Sequence, residues 1–326
     1  ILSAANAVIS RNSGRREKNL WTAAGDGAPI TGYVADSEHD EARWISQEVD
    51  RLADEHGVRP RDVAVFYRTN AQSRALEEAF MRAGQPYKVI GGTRFYDRRE
   101  IKDAIAYLRA VDNPDDDVNL RRILNVPKRG LGDKAEGALA EHAARYAVSF
   151  GQAVADAAGA PRESQTGETE ETDGQASSTG AGEPPEVEGL TTRARNQVRG
   201  FHELLTTLRH MVTAGDGVAD VLDSALDASG YLAELRASDD PQDATRVENL
   251  AELHSVASDF QAANPDGTLA DFLERVSLVA DSDQLPPSAD LEDEDARQAE
   301  EQGQITLMTV HTAKGLEFPV VFVTGM

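Results

Sequence analysis

The sequence predicts an α/β protein in which a parallel sheet is interrupted by a large all-helical insertion. Within the first 111 residues, short apolar runs of strand type alternate with segments of helical periodicity, as in a parallel α/β sheet. From about 115 to 280, apolar residues recur with a period near 3.6, which indicates helices. Strand patterns return at 305–310 and 319–324, so the last 22 residues belong with the first hundred.

The individual elements follow from local patterns. The expected elements of the first third are a possible strand at 31–35, strands at Val63–Tyr67 and Tyr87–Ile90, and helices at Glu38–His56, 71–83 and 98–111. The clearest helices of the insertion are at 198–211, Val218–Ala228, 243–260 and 269–279. Gly84 ends the second helix of the first third, because glycine readily adopts the left-handed conformation that terminates helices.

Composition excludes several classes of site. The 326 residues suffice for about two domains, and we expect them to be part of a longer protein. No apolar run approaches the roughly 20 residues that cross a bilayer, and no signal peptide is recognisable, so we expect a cytoplasmic protein without a membrane partner. Cysteine is absent, which excludes disulfides, Cys-ligated zinc and thiol catalysis. The seven histidines lack metal-ligand spacing, so we expect no protein-held metal.

The negative charge is concentrated in two segments. The net charge is −24, but 161–189 and 281–303 together hold 17 of the 57 acidic residues and only 2 of the 33 basic ones. The rest of the chain is therefore compatible with a nucleic-acid partner. In 161–189, Val187 is the single large aliphatic residue. Because such segments bury too little apolar surface to order themselves, we expect both to be disordered surface loops.

The first candidate site lies where a strand ends in Tyr67 and Arg68. Ligands of open parallel sheets bind at the carboxyl ends of the strands. An aromatic ring there can stack on a base, and a guanidinium can bind a phosphate through two hydrogen bonds. The alternative is that Tyr67 is a core residue and Arg68 forms a surface ion pair, and spacing alone favours this alternative.

The second candidate site is the polar turn at 311–317 between two apolar strands. Thr312 and Lys314 are suited to phosphate contacts, and Gly315 permits close approach of the backbone. Glu317 is suited to accept hydrogen bonds from a ribose. The alternative is an ordinary strand–turn–strand connection with a solvated lysine.

These two segments resemble motifs of the UvrD/PcrA/Rep group of superfamily 1 DNA helicases, in particular the actinobacterial PcrA-like branch. The sequence VFYRTNAQSR at 65–74 resembles motif IV, and TVHTAKGLEFPVVF at 309–322 resembles motif V. Three more segments match in family order: GGTRFYDRREIKD at 91–103, NVPKRGLG at 125–132 and RVENLAEL at 246–253. Five matches in order, spread over most of the chain, make the resemblance specific.

The resemblance implies an architecture and an activity. Residues 1–114 and 304–326 would form most of a second RecA-like motor domain, and 115–303 would be the inserted helical subdomain, with 161–189 as its acidic loop. The parent protein would be an ATP-dependent DNA helicase that translocates 3′ to 5′, with Mg²⁺ accompanying ATP. Its partners would be single-stranded and duplex DNA, together with proteins of DNA repair or replication.

The resemblance also implies roles for single residues. Arg68 would be catalytic and reach the γ-phosphate, an arrangement that resembles an arginine finger. Tyr67 would stack on adenine, and Glu317 would bind the ribose. Gln72 and Arg74 would brace the start of the following helix, or else be a helix cap and a surface charge. Three residues would lie between the nucleotide and single-stranded DNA: His311, Thr312 and Lys314.

Two basic segments are candidates for DNA contacts. In 128–132 (KRGLG), glycines that precede a helix expose backbone N–H groups next to two cations, which suits a duplex phosphate; the alternative is a tight helix–helix turn. Its candidate contacts are Lys128, Arg129, Gly130 and Gly132. In 91–99, Arg94 adjoins aromatic residues, which suits single-stranded DNA, although Phe95 and Tyr96 are better interpreted as core.

The sequence lacks the phosphate-binding motif Gly-x-x-x-x-Gly-Lys-Ser/Thr and an Asp-Glu pair placed to hold Mg²⁺. We therefore expect ATP and Mg²⁺ to require a first motor domain outside these residues, and this chain alone not to hydrolyse ATP. Two alternatives stay open, a subunit of a helicase–nuclease and a non-hydrolysing DNA-binding or adaptor module. The intact segment 128–132 argues against the first, and Tyr67 and Arg68 together with Glu317 argue against the second.

Overall fold

The computed structural model describes residues 1–11, 21–23, 27–161, 185–282 and 302–325. Its helices are α1 Leu2–Ile9, α2 Glu38–His56, α3 Ser73–Arg82, α4 Arg99–Asp112, α5 Asp117–Ile123, α6 Asp133–Tyr146, α7 Phe150–Ala158, α8 Thr192–Ala214, α9 Val218–Ala228, α10 Tyr231–Arg236, α11 Pro241–Ala263 and α12 Leu269–Ser282. Its strands are β1 Val63–Tyr67, β2 Tyr87–Ile90, β3 Ile305–Thr309 and β4 Val320–Val323. The predicted α/β fold with a helical insertion is confirmed.

The described strands form one parallel sheet in the order β2-β3-β1-β4. The strand β1 lies between two strands from the far end of the chain, with Val65 paired to Leu307 on one side and to Phe322 on the other. Val89 of β2 pairs with Leu307 from the opposite side. The expectation that the last residues of the chain rejoin the first domain is therefore confirmed.

The sheet and its flanking helices share one apolar core. The side chains of Val63, Val65 and Leu307 are fully buried there, together with Ile45 from α2 and Phe80 from α3. Local signals fix the limits of α2, since the Ser37 side chain accepts a hydrogen bond from the Asp40 N–H and Gly57 ends the helix in the left-handed conformation. The sheet is thereby backed by helices and its strand ends are held in place.

A second core is built by the helices, and it begins earlier than the predicted subdomain boundary. Phe95 and the α4 residues Ile101 and Leu108 pack with residues of α5 to α12 rather than with the sheet. The expected boundary between 114 and 115 thus differs from the division of the two cores, which falls near Phe95. The reason is that periodicity locates a helix but does not say which core its apolar face joins.

Two further expectations differ from the structure. Residues 31–35 form no strand. Residues 185–189 of the acidic segment are ordered, since Val187 is only 1% exposed in the helical core and Glu188 pairs with Arg145 at 3.1 Å. The rest of that segment, 162–184, and residues 283–301 of the second acidic segment lie outside the described residues.

Candidate functional site

Three loops meet at the carboxyl ends of the parallel strands. They follow β1 at Arg68, β2 at Gly91 and β3 at Val310. The loops after β2 and β3 touch, because a Cβ added to Gly91 would lie 3.0 Å from the Thr312 hydroxyl oxygen. Gly91 also has φ +78°, a conformation that favours glycine. The loops after β2 and β3 therefore form one continuous surface.

The backbone around Arg68 is fixed by one side chain. The Gln72 amide oxygen accepts hydrogen bonds from the N–H groups of Arg68 and Thr69, at 2.9 and 3.0 Å. A side chain at Gly325, where φ is +67°, would collide with the Gln72 amide. Gln72 therefore braces the turn that leads from β1 into α3.

The Arg68 side chain is exposed and meets the motif V segment. Its Nη1 lies 3.2 Å from Nδ1 of His311, a distance at which a neutral imidazole accepts a hydrogen bond. The structure thus joins the candidate residues of two strands that are 243 positions apart in sequence. A guanidinium in this position can turn toward a phosphate, because its planar fork of donors matches phosphate oxygens.

The turn after β3 is held by its own backbone and hydroxyl groups. The hydroxyl oxygens of Thr309 and Thr312 lie 2.9 Å apart, and the Ala313 N–H donates to the Thr309 carbonyl oxygen at 3.0 Å. This turn leaves the side chains of Lys314 and Glu317 exposed. These polar groups are accessible to a ligand while the backbone beneath them is ordered.

Tyr67 does not have the accessibility that stacking on adenine requires. Its side chain is 0% exposed and packs in the core of the sheet, and this burial raises the pKa of its hydroxyl. In this arrangement neither face of the ring is open to a base, and stacking of Tyr67 on adenine stays a prediction. The side chain of the last residue of a strand can point into the core or toward solvent. That of Tyr67 points into the apolar core.

The segment 91–99 contributes more to packing than to a DNA surface. Phe95 and Tyr96 are buried, as favoured from the sequence. Arg98 is buried as well, whereas Arg94 is half-buried with its guanidinium carbon 5.4 Å from the centre of the Tyr87 ring. Arg94 therefore retains partial access to solvent, and Arg99, at the start of α4, is exposed.

The loop at 125–132 separates its two cations. Lys128 is exposed, as are Gly130 and Gly132, and Gly132 directly precedes α6. The Arg129 guanidinium points inward. It donates to backbone carbonyl oxygens, among them those of Ile123 and Val126 at 3.0 Å each, and to the Tyr107 hydroxyl. Loop carbonyls and the Tyr107 hydroxyl engage both terminal nitrogens of the half-buried Arg129, and a contact of this residue with DNA stays a prediction.

The protein-family model of the UvrD-like helicase C-terminal domain matches residues 1–326. The chain belongs to this family.

Individual relatives agree with this membership. The chain is 49% identical over 339 residues to the ATP-dependent DNA helicase UvrD1 of Mycobacterium tuberculosis H37Rv. It is 46% identical over 344 residues to UvrD1 of Mycobacterium leprae and 38% identical over 328 residues to the ATP-dependent DNA helicase PcrA of Bacillus subtilis 168. Each alignment covers 100% of this chain and 39% of the relative. The chain thus spans about two fifths of the length of these helicases, and the resemblance read from its motifs is confirmed.

Sequence reasoning missed a buried polar cluster in this UvrD-like chain. Arg74 is 2% exposed and pairs with Glu38 and Glu78 at 2.8 and 2.9 Å, and also with Glu252 of α11. Burial lowers the pKa of Arg98 below its usual value, and the nearby Glu77 carboxylate opposes part of that shift. Only the i,i+4 spacing of Arg74 and Glu78 was a local signal. The partners on α11 are more than 150 residues away in sequence.

No helix within the described ranges is both long and apolar enough to cross a bilayer. In the same parts of the chain, no group of three or more His, Asp or Glu side chains is arranged to hold a metal ion.

Proposed function

We propose that this chain is part of an ATP-dependent DNA helicase that translocates 3′ to 5′ and supplies one side of the ATP site, part of the single-strand track and a duplex-binding subdomain. The observation that carries the proposal is the exposed Arg68 guanidinium at the carboxyl edge of the sheet, 3.2 Å from His311 of the motif V turn. Family membership and the names of the relatives support the same activity.

In this proposal Arg68 binds the γ-phosphate and stabilises the charge that develops during its transfer. Glu317, which is exposed, accepts hydrogen bonds from the ribose. Tyr67 would serve adenine only if its ring left the core, so we assign no base contact to its present position. Mg²⁺ accompanies ATP and is held outside the described residues. Because the sequence contains no phosphate-binding loop, the chain alone does not hydrolyse ATP.

The DNA contacts divide between two surfaces. His311, Thr312 and Lys314 lie on the exposed turn after β3, where they would link the nucleotide to single-stranded DNA, and the half-buried Arg94 would add a further contact to the single strand. Lys128 and the exposed glycines Gly130 and Gly132 would contact duplex phosphates through a side chain and backbone N–H groups. The protein would act in the cytoplasm, alongside proteins of DNA repair or replication.

The test is ATP turnover by the full-length protein, with and without single-stranded DNA, for wild type, Arg68→Ala and Arg82→Ala. Arg82 is a matched control, because it is an exposed arginine at the far end of α3. We expect DNA-stimulated turnover that falls about 10³-fold in Arg68→Ala and is unchanged in Arg82→Ala. Undiminished turnover in folded Arg68→Ala would overturn the role of Arg68. A wild type without turnover would favour the adaptor alternative.

A further inference from the structure

The loop that carries Arg68 is tied to the helical subdomain by a second arginine. Arg98 is 6% exposed, and its Nη1 donates a hydrogen bond of 2.9 Å to the side-chain oxygen of Asn249 on α11. Its Nη2 donates to the Asn70 carbonyl oxygen and the Ser73 hydroxyl, at 3.0 and 2.9 Å. One buried guanidinium therefore connects α11 to the turn between β1 and α3.

The orientation of Asn249 is itself fixed. Its side-chain nitrogen donates to a carboxylate oxygen of Glu100 at 2.6 Å, and the residue is 3% exposed. With the nitrogen committed to Glu100, the oxygen faces Arg98. Such a fully paired buried network holds its members in one geometry, because any displacement leaves a buried polar group unpaired.

A second tie runs parallel to the first. Glu252 follows Asn249 by one helical turn, so both residues lie on the same side of α11. Glu252 pairs with the buried Arg74, the second residue of α3. The two contacts with α11 hold Ser73 and Arg74 at the start of α3. These residues directly follow Gln72, whose amide oxygen accepts hydrogen bonds from the N–H groups of Arg68 and Thr69.

We propose that Asn249 and Arg98 are positioning residues that set the placement of the Arg68 loop from the helical subdomain. The consequence of this proposal for catalysis rests on the proposed function of Arg68. Arg68 is exposed and its side chain contacts His311, while the position of its backbone is set by the hydrogen bonds within 68–73. A shift of α11 would move that backbone through the bonds of Arg98 to Asn70 and Ser73. The helical subdomain thereby acts on the Arg68 loop through α11.

The first test needs no nucleotide. Amide hydrogen exchange is measured on the chain for wild type, Asn249→Ala and Ser277→Ala. Ser277 is a matched control, because it also accepts an arginine hydrogen bond of 2.8 Å, from Arg109, within the helical subdomain. We expect the amides of Arg68 and Thr69 to exchange about ten-fold faster in Asn249→Ala, through local opening of the loop. Equal exchange at these amides in all three proteins would overturn the proposal.

A swap of donor and acceptor separates positioning from general destabilisation. Asn249→Asp combined with Glu100→Gln keeps the acceptor for Arg98 and restores the second hydrogen bond with reversed polarity, at unchanged net charge. We expect the double variant to return exchange at Arg68 and Thr69 to within about two-fold of wild type. Exchange as fast as in Asn249→Ala would contradict the specific role of this bond pair.

The second test uses the full-length protein. Asn249→Ala is expected to lower kcat for ATP about ten-fold with KM within two-fold of wild type, because misplacement of a catalytic group acts on the transition state. Arg68→Ala, measured in parallel, reports on the proposed function. If Arg68→Ala collapses and Asn249→Ala does not change kcat, the positioning proposal fails. If Arg68→Ala keeps full turnover, the proposed function fails, and the exchange experiment still decides whether Asn249 holds the loop.

Discussion

Replacing Arg74 by methionine tests how strongly the sheet domain depends on its buried ion cluster. Arg74 is 2% exposed and is the common partner of three carboxylates. Methionine fills a similar volume without the charge. The substitution therefore leaves the packing close to its original state and removes the cation.

The expected loss follows from the exposure of each partner. Glu38 has a side chain that is 49% exposed and can be rehydrated, so it contributes little. Glu78 is 9% exposed and keeps Arg82 at 3.3 Å. Glu252, at 16% exposed, loses its paired cation. Removing one partner of a buried pair costs about 3–5 kcal/mol, and we expect the lower end, about 3 kcal/mol, because Glu78 stays paired.

The loss should depend on pH. Burial raises the pKa of Glu252, and Arg74 opposes that rise. Without Arg74 the pKa of Glu252 rises further, so the folded variant binds more protons than the unfolded chain above the ordinary carboxyl pKa of about 4.3. The stability of the variant therefore decreases as pH rises through the raised pKa. The deficit of Arg74→Met is expected to be larger at pH 8 than at pH 5.

The assay is urea unfolding followed by circular dichroism at pH 5 and pH 8. Arg82→Met is the control, because Arg82 also pairs with Glu78 but is 68% exposed, and its removal is expected to cost about 0–1 kcal/mol. A loss of about 3 kcal/mol corresponds to a midpoint lower by roughly 1–2 M urea. A deficit equal to that of Arg82→Met, or one that does not change between the two pH values, would refute the reasoning.

Two other predictions concern Arg129 and Tyr67. Arg129→Ala is expected to destabilise the chain by about 2–3 kcal/mol, because carbonyl groups of its loop lose a charged donor. Lys128→Ala should leave stability unchanged and lower the salt dependence of duplex binding by about one charge. Urea unfolding and anisotropy titrations at several salt concentrations distinguish the two variants, and a stable Arg129→Ala with a reduced salt slope would show that the Arg129 side chain points toward solvent. Tyr67→Phe is expected to unfold at an equal or slightly higher urea concentration, by up to about 1 kcal/mol, because the buried hydroxyl lacks a partner of good geometry among the described residues; a clear loss would show that the hydroxyl is bonded.

Much of the candidate site was accessible from local patterns. The resemblance assigned Arg68 and His311 to one nucleotide site, and both follow apolar strands of a parallel sheet, whose carboxyl ends bind ligands. The alternation of apolar residues and turn signals also gave Glu38–His56 and Val63–Tyr67 with their observed limits. These features depend on periodicity and on residues close in sequence, which a single chain displays directly.

The inward or outward direction of a charged or aromatic side chain was not accessible in the same way. Tyr67 and Arg68 are neighbours, yet one is buried in the sheet core and the other is exposed. Arg129 turns away from solvent because loop carbonyls and the Tyr107 hydroxyl accept its donors. Val187 is buried although its flanks are acidic, since a single aliphatic side chain can be ordered by a core that the rest of the chain has already formed.

The sequence by itself determined the family, the order of strands and helices along the chain, and the residue types at the strand ends, because these depend on motifs and short-range periodicity. The tertiary structure decided which of those residues can reach a ligand and which serve the core. It also decided that Arg98 meets Asn249 and that Arg74 meets Glu252. Such contacts join residues more than 150 positions apart, and only the packing of α11 against the start of α3 brings them within hydrogen-bond distance.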